Sequence, residues 1–256
     1  MITIISPAKT LDFESPRSNL EFTSPIFLKE AFELGEVLRK LTAEEIGKLM
    51  SISENLAKLN YERFQILNDV ESQKTKEAIF IFKGDVYKGL SIEEFSQEHI
   101  HFAQENLRIL SGLYGVLRPL DLIKEHRLEM GTKLQVNCSK NLYEYWGEKL
   151  SCHIEQEVLN SRGDKILINL ASEEYSKSLK LKQLSKKIKI MNISFKESKN
   201  NQYKIIGVHA KRARGLMTSY IMKNGICEVA KIKDFNLEGY KFSEDMSNGN
   251  TIVFIR

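Results

Sequence analysis

The chain is poor in the residues that mark an extracellular, zinc-stapled or membrane-spanning protein. Its 256 residues contain only three cysteines, Cys138, Cys152 and Cys227, far apart and without a CxxC pair. Such a scattered, odd set supports neither a disulfide framework nor a structural zinc site, so reduced thiols in a cytoplasmic protein are expected. No apolar run approaches the roughly 18 residues of a membrane helix. The longest, around Ala78–Phe82 and Ile166–Ile168, are strand-sized. The opening Met1–Pro7 is too briefly apolar, and lacks the basic leader, for a secretory signal. Repeats and low-complexity tracts are missing, which leaves a solenoid or a tethered pair of domains unsupported and gives no domain boundary, so residues 1–256 read as one compact domain. HExxH, a Walker lysine loop and GxSxG are absent too, and the metalloprotease, nucleotide triphosphatase and serine hydrolase classes lose their usual support.

Apolar residues at 42% and charged residues at 28% are enough to build a core. Three of the four prolines precede Ile26, which predicts an irregular passage after a first strand, Ile2–Ile5. Thr42–Glu45 reads as a capping box ahead of Ile46, Leu49 and Met50, Ser53 as the cap of a second helix, and Ser91–Glu94 as another capping box. Phe102, Leu107 and Leu110 then predict a helix ending at Ser111-Gly112. Strands are expected at Ala78–Phe82, Lys165–Leu170, Lys187–Phe195, Tyr203–Val208 and Thr251–Ile255, all rich in Ile, Val and Phe. Interleaved strands and helices predict a mixed α/β (α+β) fold with a central mixed sheet surrounded by helices.

Charge is unevenly spread. Ser176–Arg214 carries twelve Lys or Arg against the single acid Glu197, net +11, in a chain whose total is +4. Four strand candidates run into polar loops: after Ile5 (through Lys9), after Phe82 (Lys83, Gly84, Asp85), after Asn169 (Ser172, Glu174) and after Val208 (Lys211, Arg212, Arg214). Open α/β sheets gather ligands beyond their carboxyl ends, so parallel neighbours would bring these loops into one basic cleft. There Lys9, Lys83, Lys211 and Arg214 would supply positive potential, with Asp85 and Glu174 orienting them or acting on protons. Phosphate backbones are the match.

The run from Leu110 to Pro119 reads as a tight glycine hairpin between two helices, where amides near Ser111, Gly112 and Gly115 could meet a phosphate. Arg118, Lys124 and Arg127 stand among Asp121, Glu125 and Glu129, either self-paired or part of the cleft wall. His99 and His101 fall on different faces of the expected helix, which argues against a metal pair. The aromatic cluster Leu142–Gly147 fits either a base-stacking surface or the core.

The segments ISPAKTLD at Ile5, FKGDVYKGL at Phe82, LSGLYGVLRPLDLI at Leu110, RLEMG at Arg127, INLASEEY at Ile168, AKRARGLM at Ala210 and GYKF at Gly239 together resemble the YaaA family of peroxide-stress proteins. That resemblance implies a bacterial cytosolic protein that protects DNA and protein from hydrogen peroxide by limiting free intracellular iron. It also implies DNA binding through a positive cleft and a helix-hairpin-helix element. The nucleic-acid contacts expected are Lys9, Lys83, Ser111, Gly112, Gly115, Arg118, Arg127, Lys211, Arg212 and Arg214, with DNA, double-stranded or damaged, as partner. A monomer is expected, with no membrane partner, no cofactor and no metal. The alternative is an enzyme of glycosylase or lyase type, with Lys83 as nucleophile beside Asp85 and Glu174 as a further catalytic candidate.

Overall fold

The computed structural model describes residues 1–14, 20–69, 74–199 and 202–256. The passage expected to be irregular therefore lies partly outside the described residues, Pro16 included. Twelve strands occur among those described: β1 (Ile2–Ile5), β2 (Thr10–Leu11), β3 (Thr75–Glu77), β4 (Phe82–Lys83), β5 (Leu107–Ser111), β6 (Gly115–Leu117), β7 (Leu122–Lys124), β8 (Ile166–Asn169), β9 (Lys189–Lys199), β10 (Gln202–Lys204), β11 (Lys241–Asn248) and β12 (Thr251–Ile255). The main sheet has the order β11-β12-β9-β8-β1-β5-β6, and β10 folds back on β9. From β12 to β5 every neighbour is parallel, while β6 and β11 close the two edges antiparallel. The sheet is thus mixed, as expected, and flanked by helices.

Its centre is formed by β1, β5 and β8, whose residues are all buried. Near-continuous runs such as Ile2–Ile5 and Ile166–Ile168 suit a parallel strand covered on both faces. The hydrophobic cluster extends from Met1 to Phe254. No helix among the described residues is long and apolar enough to cross a membrane.

Local signals explain most boundaries. Thr42 caps helix Ala43–Met50 in a reciprocal box with Glu45. At Ser91 the expected box does not form. Ser91 takes a left-handed conformation (φ 49°) and opens a short 3-10 turn, and the cap of helix Gln97–Asn106 is Ser96, paired with His99. His99 is therefore a capping residue.

Besides the glycine run described below, three element types differ from expectation. Ala78–Ile81 is a single helical turn before the two-residue strand β4, since a four-residue apolar run is ambiguous between the two. Leu107–Ser111 is a strand because it enters the sheet beside β1, burying both faces. Tyr203–Val208 leaves strand geometry after Lys204, and helix Gly207–Lys223 follows, burying Ala210, Ala213, Met217 and Ile221 at helical spacing.

Candidate nucleic-acid interface

The loops after β1 and β8 meet at the carboxyl edge of the sheet. Ser172 N–H donates to Ser6 Oγ at 2.8 Å, and the two hydroxyls lie 3.2 Å apart. The second loop joins them twice: Lys83 pairs with Thr10 across β2 and β4, and Tyr87 Oη donates to Ser6 O at 3.1 Å. Tyr87 sits on helix Asp85–Leu90, which crosses helix Gly207–Lys223. The longer helix begins after β10 and ends before Cys227, whose carbonyl accepts from Asp164 ahead of β8 at 2.9 Å. Its amino-terminal half, with Lys211, Arg212 and Arg214, therefore lies towards the carboxyl edge. The expected fourth loop is the start of a helix.

The cations here have unequal partners. Lys9 and Arg127 both hold Glu129, at 2.8 and 2.9 Å. Burial pulls the Glu129 pKa upward, but the two cations outweigh it and the carboxyl stays below its usual range. Lys83 lies 3.5 Å from Asp12, and no Lys83–Asp85 ion pair forms among the described residues. Arg212 lies 2.6 Å from Glu238, whose hydrogen bond, with a smaller contribution from Asp85, raises its pKa. Glu174 accepts from Gly131 N–H at 3.0 Å, which ties the third loop to the segment carrying Glu129. Arg214 differs from all of these. It is half-buried, burial alone lowers its pKa, and no carboxylate lies within ion-pair reach among the described residues. Lys211 is exposed and likewise has no acidic partner among them.

Beneath Lys9 and Glu129 is a cavity of about 20 Å³ bordered by Ser111, His126 and Tyr175, room for a single water. His126 is buried, its pKa lowered to about 4 by desolvation, and its Nδ1 faces Lys124 O at 2.8 Å, so it is neutral at neutral pH. Burial likewise raises the Tyr87 and Tyr175 phenols and keeps them protonated. Ser172 is named in the third expected loop and Glu129 in the array that could form the cleft wall, whereas Ser6, Tyr87, Tyr175 and His126 are not among the expected site residues, although Ser6 and Tyr175 lie in the strand-to-loop segments.

The glycine run is placed differently. Ser111–Gly115 joins two strands, β5 and β6, where two helices were expected. Ser111 is 1% exposed, and its Oγ accepts from Tyr114 N–H at 3.1 Å. Gly115 has φ +68°, and a Cβ there would come 2.9 Å from the Trp146 ring; one on Gly112 would come 2.3 Å from Leu128 O. Trp146, from the aromatic cluster, donates to Gly112 O at 3.0 Å and is fully buried. These glycines thus allow close packing, and the cluster belongs to the core. The mixed-charge array also resolves into separate parts. Arg118 pairs with Asp121 and Ser24 O beyond edge strand β6, Lys124 binds the carbonyls of Leu67 and Asp69, and Glu125 binds Arg63. Of that array, only Arg127 and Glu129 join the cleft.

Parallel strand ends, tethered loops and a helix bearing cations define an open-sheet α/β protein of the kind that gathers ligands at the carboxyl edge. Residues 1–246 match the family described as peroxide stress protein YaaA, and the chain belongs to that family. It is 46% identical over 255 residues to a UPF0246 protein of Clostridium botulinum, covering 99% of this chain and 98% of the relative. To a UPF0246 protein of Aliivibrio fischeri it is 47% identical over 257 residues, covering 100% of this chain and 98% of that one.

Proposed function

We propose that this protein acts in peroxide stress by binding the sugar-phosphate backbone of nucleic acid at the carboxyl edge of its sheet. Family membership supports the peroxide-stress role. The observation that carries the binding reading is Arg214: a half-buried guanidinium without a carboxylate partner among the described residues has a desolvation cost that a phosphate oxygen would offset. Lys211, one helical turn earlier, offers a second unpaired cation on the same helix. Lys9, Lys83 and Arg212 add positive potential with weaker claim, because each already has an acidic partner.

In this reading DNA is the partner, and protection of DNA and protein from peroxide by limiting free intracellular iron is the second part of the proposal. Among the described residues no group of three His, Cys, Asp or Glu is placed to hold a metal. The test is fluorescence anisotropy with a labelled oligonucleotide, comparing wild type with Lys211→Ala/Arg214→Ala. Loss of two charge-assisted contacts is expected to weaken binding about 10- to 100-fold. Equal affinity in the double variant would remove the cleft from the account.

A further inference from the structure

Strand β9 outruns its neighbour. β8 pairs with it only as far as Asn169 opposite Asn192, so Ile193–Lys199 rises past the carboxyl edge, about 23 Å of extended chain. On one edge of this overhang β12 follows as far as Lys196, and the chain end continues the pairing, with Lys196 O and Ser198 N–H bonded to Arg256. Successive residues of a strand present their backbone groups to alternate edges. Glu197 and Lys199 therefore pair on the other edge, the one that β8 occupies lower down, and there β10 returns with Tyr203 opposite Ser198 and Lys204 opposite Glu197. The β9–β10 arm thus stands above the end of β8, on the side of the candidate site.

Its base is fixed. The Glu197 carboxylate accepts from Tyr240 Oη and from Arg256, each at 2.9 Å, and lies 2.7 Å from His209 Nδ1. Yet the returning segment and the first turn of the helix that follows present apolar side chains to solvent: Tyr203 is 40% exposed, Ile205 59% and, in the helix, Val208 62%. Three large apolar residues within six positions, beside the exposed cations Lys204 and Lys211, make a surface that is both apolar and positive. A phosphate backbone alone does not call for the apolar part. An unstacked base does, because its ring faces stack on an aromatic side chain while neighbouring cations hold its phosphates.

We propose that the β9–β10 arm binds an unstacked nucleobase on Tyr203, with the exposed Ile205 and Val208 just after it in the chain adding apolar surface, so that the protein favours single-stranded or distorted nucleic acid over regular duplex. This rests on the cleft reading above and specifies the form of nucleic acid that the cleft takes. The probe is an oligodeoxynucleotide carrying 2-aminopurine, single-stranded and as a duplex, titrated at several salt concentrations against wild type, Tyr203→Ala, Tyr203→Phe and Lys211→Ala/Arg214→Ala. Wild type is expected to bind the single strand more tightly and to change 2-aminopurine fluorescence. Tyr203→Ala should lower single-strand affinity about tenfold without changing the salt slope, and Tyr203→Phe should restore it. If Tyr203→Ala binds and reports like wild type while the double variant loses binding, the arm inference fails and the cleft reading stands. If wild type binds neither form, both fail. If sedimentation shows that Tyr203→Ala dissociates a dimer and leaves base fluorescence unchanged, the apolar surface belongs to a second copy of the chain and the inference is overturned.

Discussion

Gly215→Ala is expected to lower Tm by about 10 °C, through a loss of about 3 kcal/mol. A Cβ at Gly215 would lie 1.8 Å from Val86 O and 2.8 Å from Leu90 N, and one at Gly89 would lie 2.2 Å from Arg212 O. Both obstacles are backbone, so no rotamer relieves them and the two helices must move apart. Helix Gly207–Lys223 carries Lys211 and Arg214, and helix Asp85–Leu90 carries the Tyr87 bond to Ser6, so the same substitution is expected to weaken nucleic-acid binding. Gly207→Ala is the control. Nothing lies within 4 Å of a Cβ there, so thermal denaturation should show Tm unchanged or slightly raised. A Gly215→Ala protein as stable as wild type would show that the crossing is looser than described.

Glu157→Ala is expected to cost about 3–5 kcal/mol, because it leaves a buried arginine without its counter-charge. Arg108 is 5% exposed and places Nε and Nη2 within 2.7–2.9 Å of the Glu157 carboxylate. Burial raises the Glu157 pKa, but His153 and Arg108 outweigh it and hold it at about 2. His153 Nε2 is 3.4 Å away, so the bidentate Arg108 fork is the stronger contact. A carboxyl depressed in the folded state gives stability that is fully present above its ordinary value of 4.5 and is lost as pH falls towards 2. Chemical denaturation from pH 6 down to pH 2 should therefore show wild type losing stability across that window, with Glu157→Ala losing less. Parallel profiles would contradict the assignment.

Much of the sheet was legible because a strand buried on both faces leaves a compact run of Ile, Leu and Val. β1, β8 and β12 were placed in this way. β5 is not legible in this way, because Leu107, Leu110 and the preceding Phe102 also satisfy a helical period, and only the partner strand β1 decides between the two. Helix Gly207–Lys223 was hidden by Tyr203, Ile205 and Val208, which read as strand core but are exposed. The candidate site was legible as a set of strand ends and less so as a set of charges. Lys9, Lys83 and Arg212 look free in sequence, yet their acids come from Glu129, Asp12 and Glu238, two of them remote along the chain. The glycine run illustrates the same limit: φ > 0 at Gly115 was readable, but whether its amides face solvent or Trp146 depends on a residue further along the chain.

The most direct test of the central claim is the slope of log Kobs against log salt for oligonucleotide binding by wild type and by Lys211→Ala/Arg214→Ala. Each phosphate contact contributes about 0.7–0.9 to that slope. The account predicts steep salt dependence in wild type and a slope shallower by about 1.5 in the double variant. Equal slopes, or salt-independent binding by wild type, would contradict it.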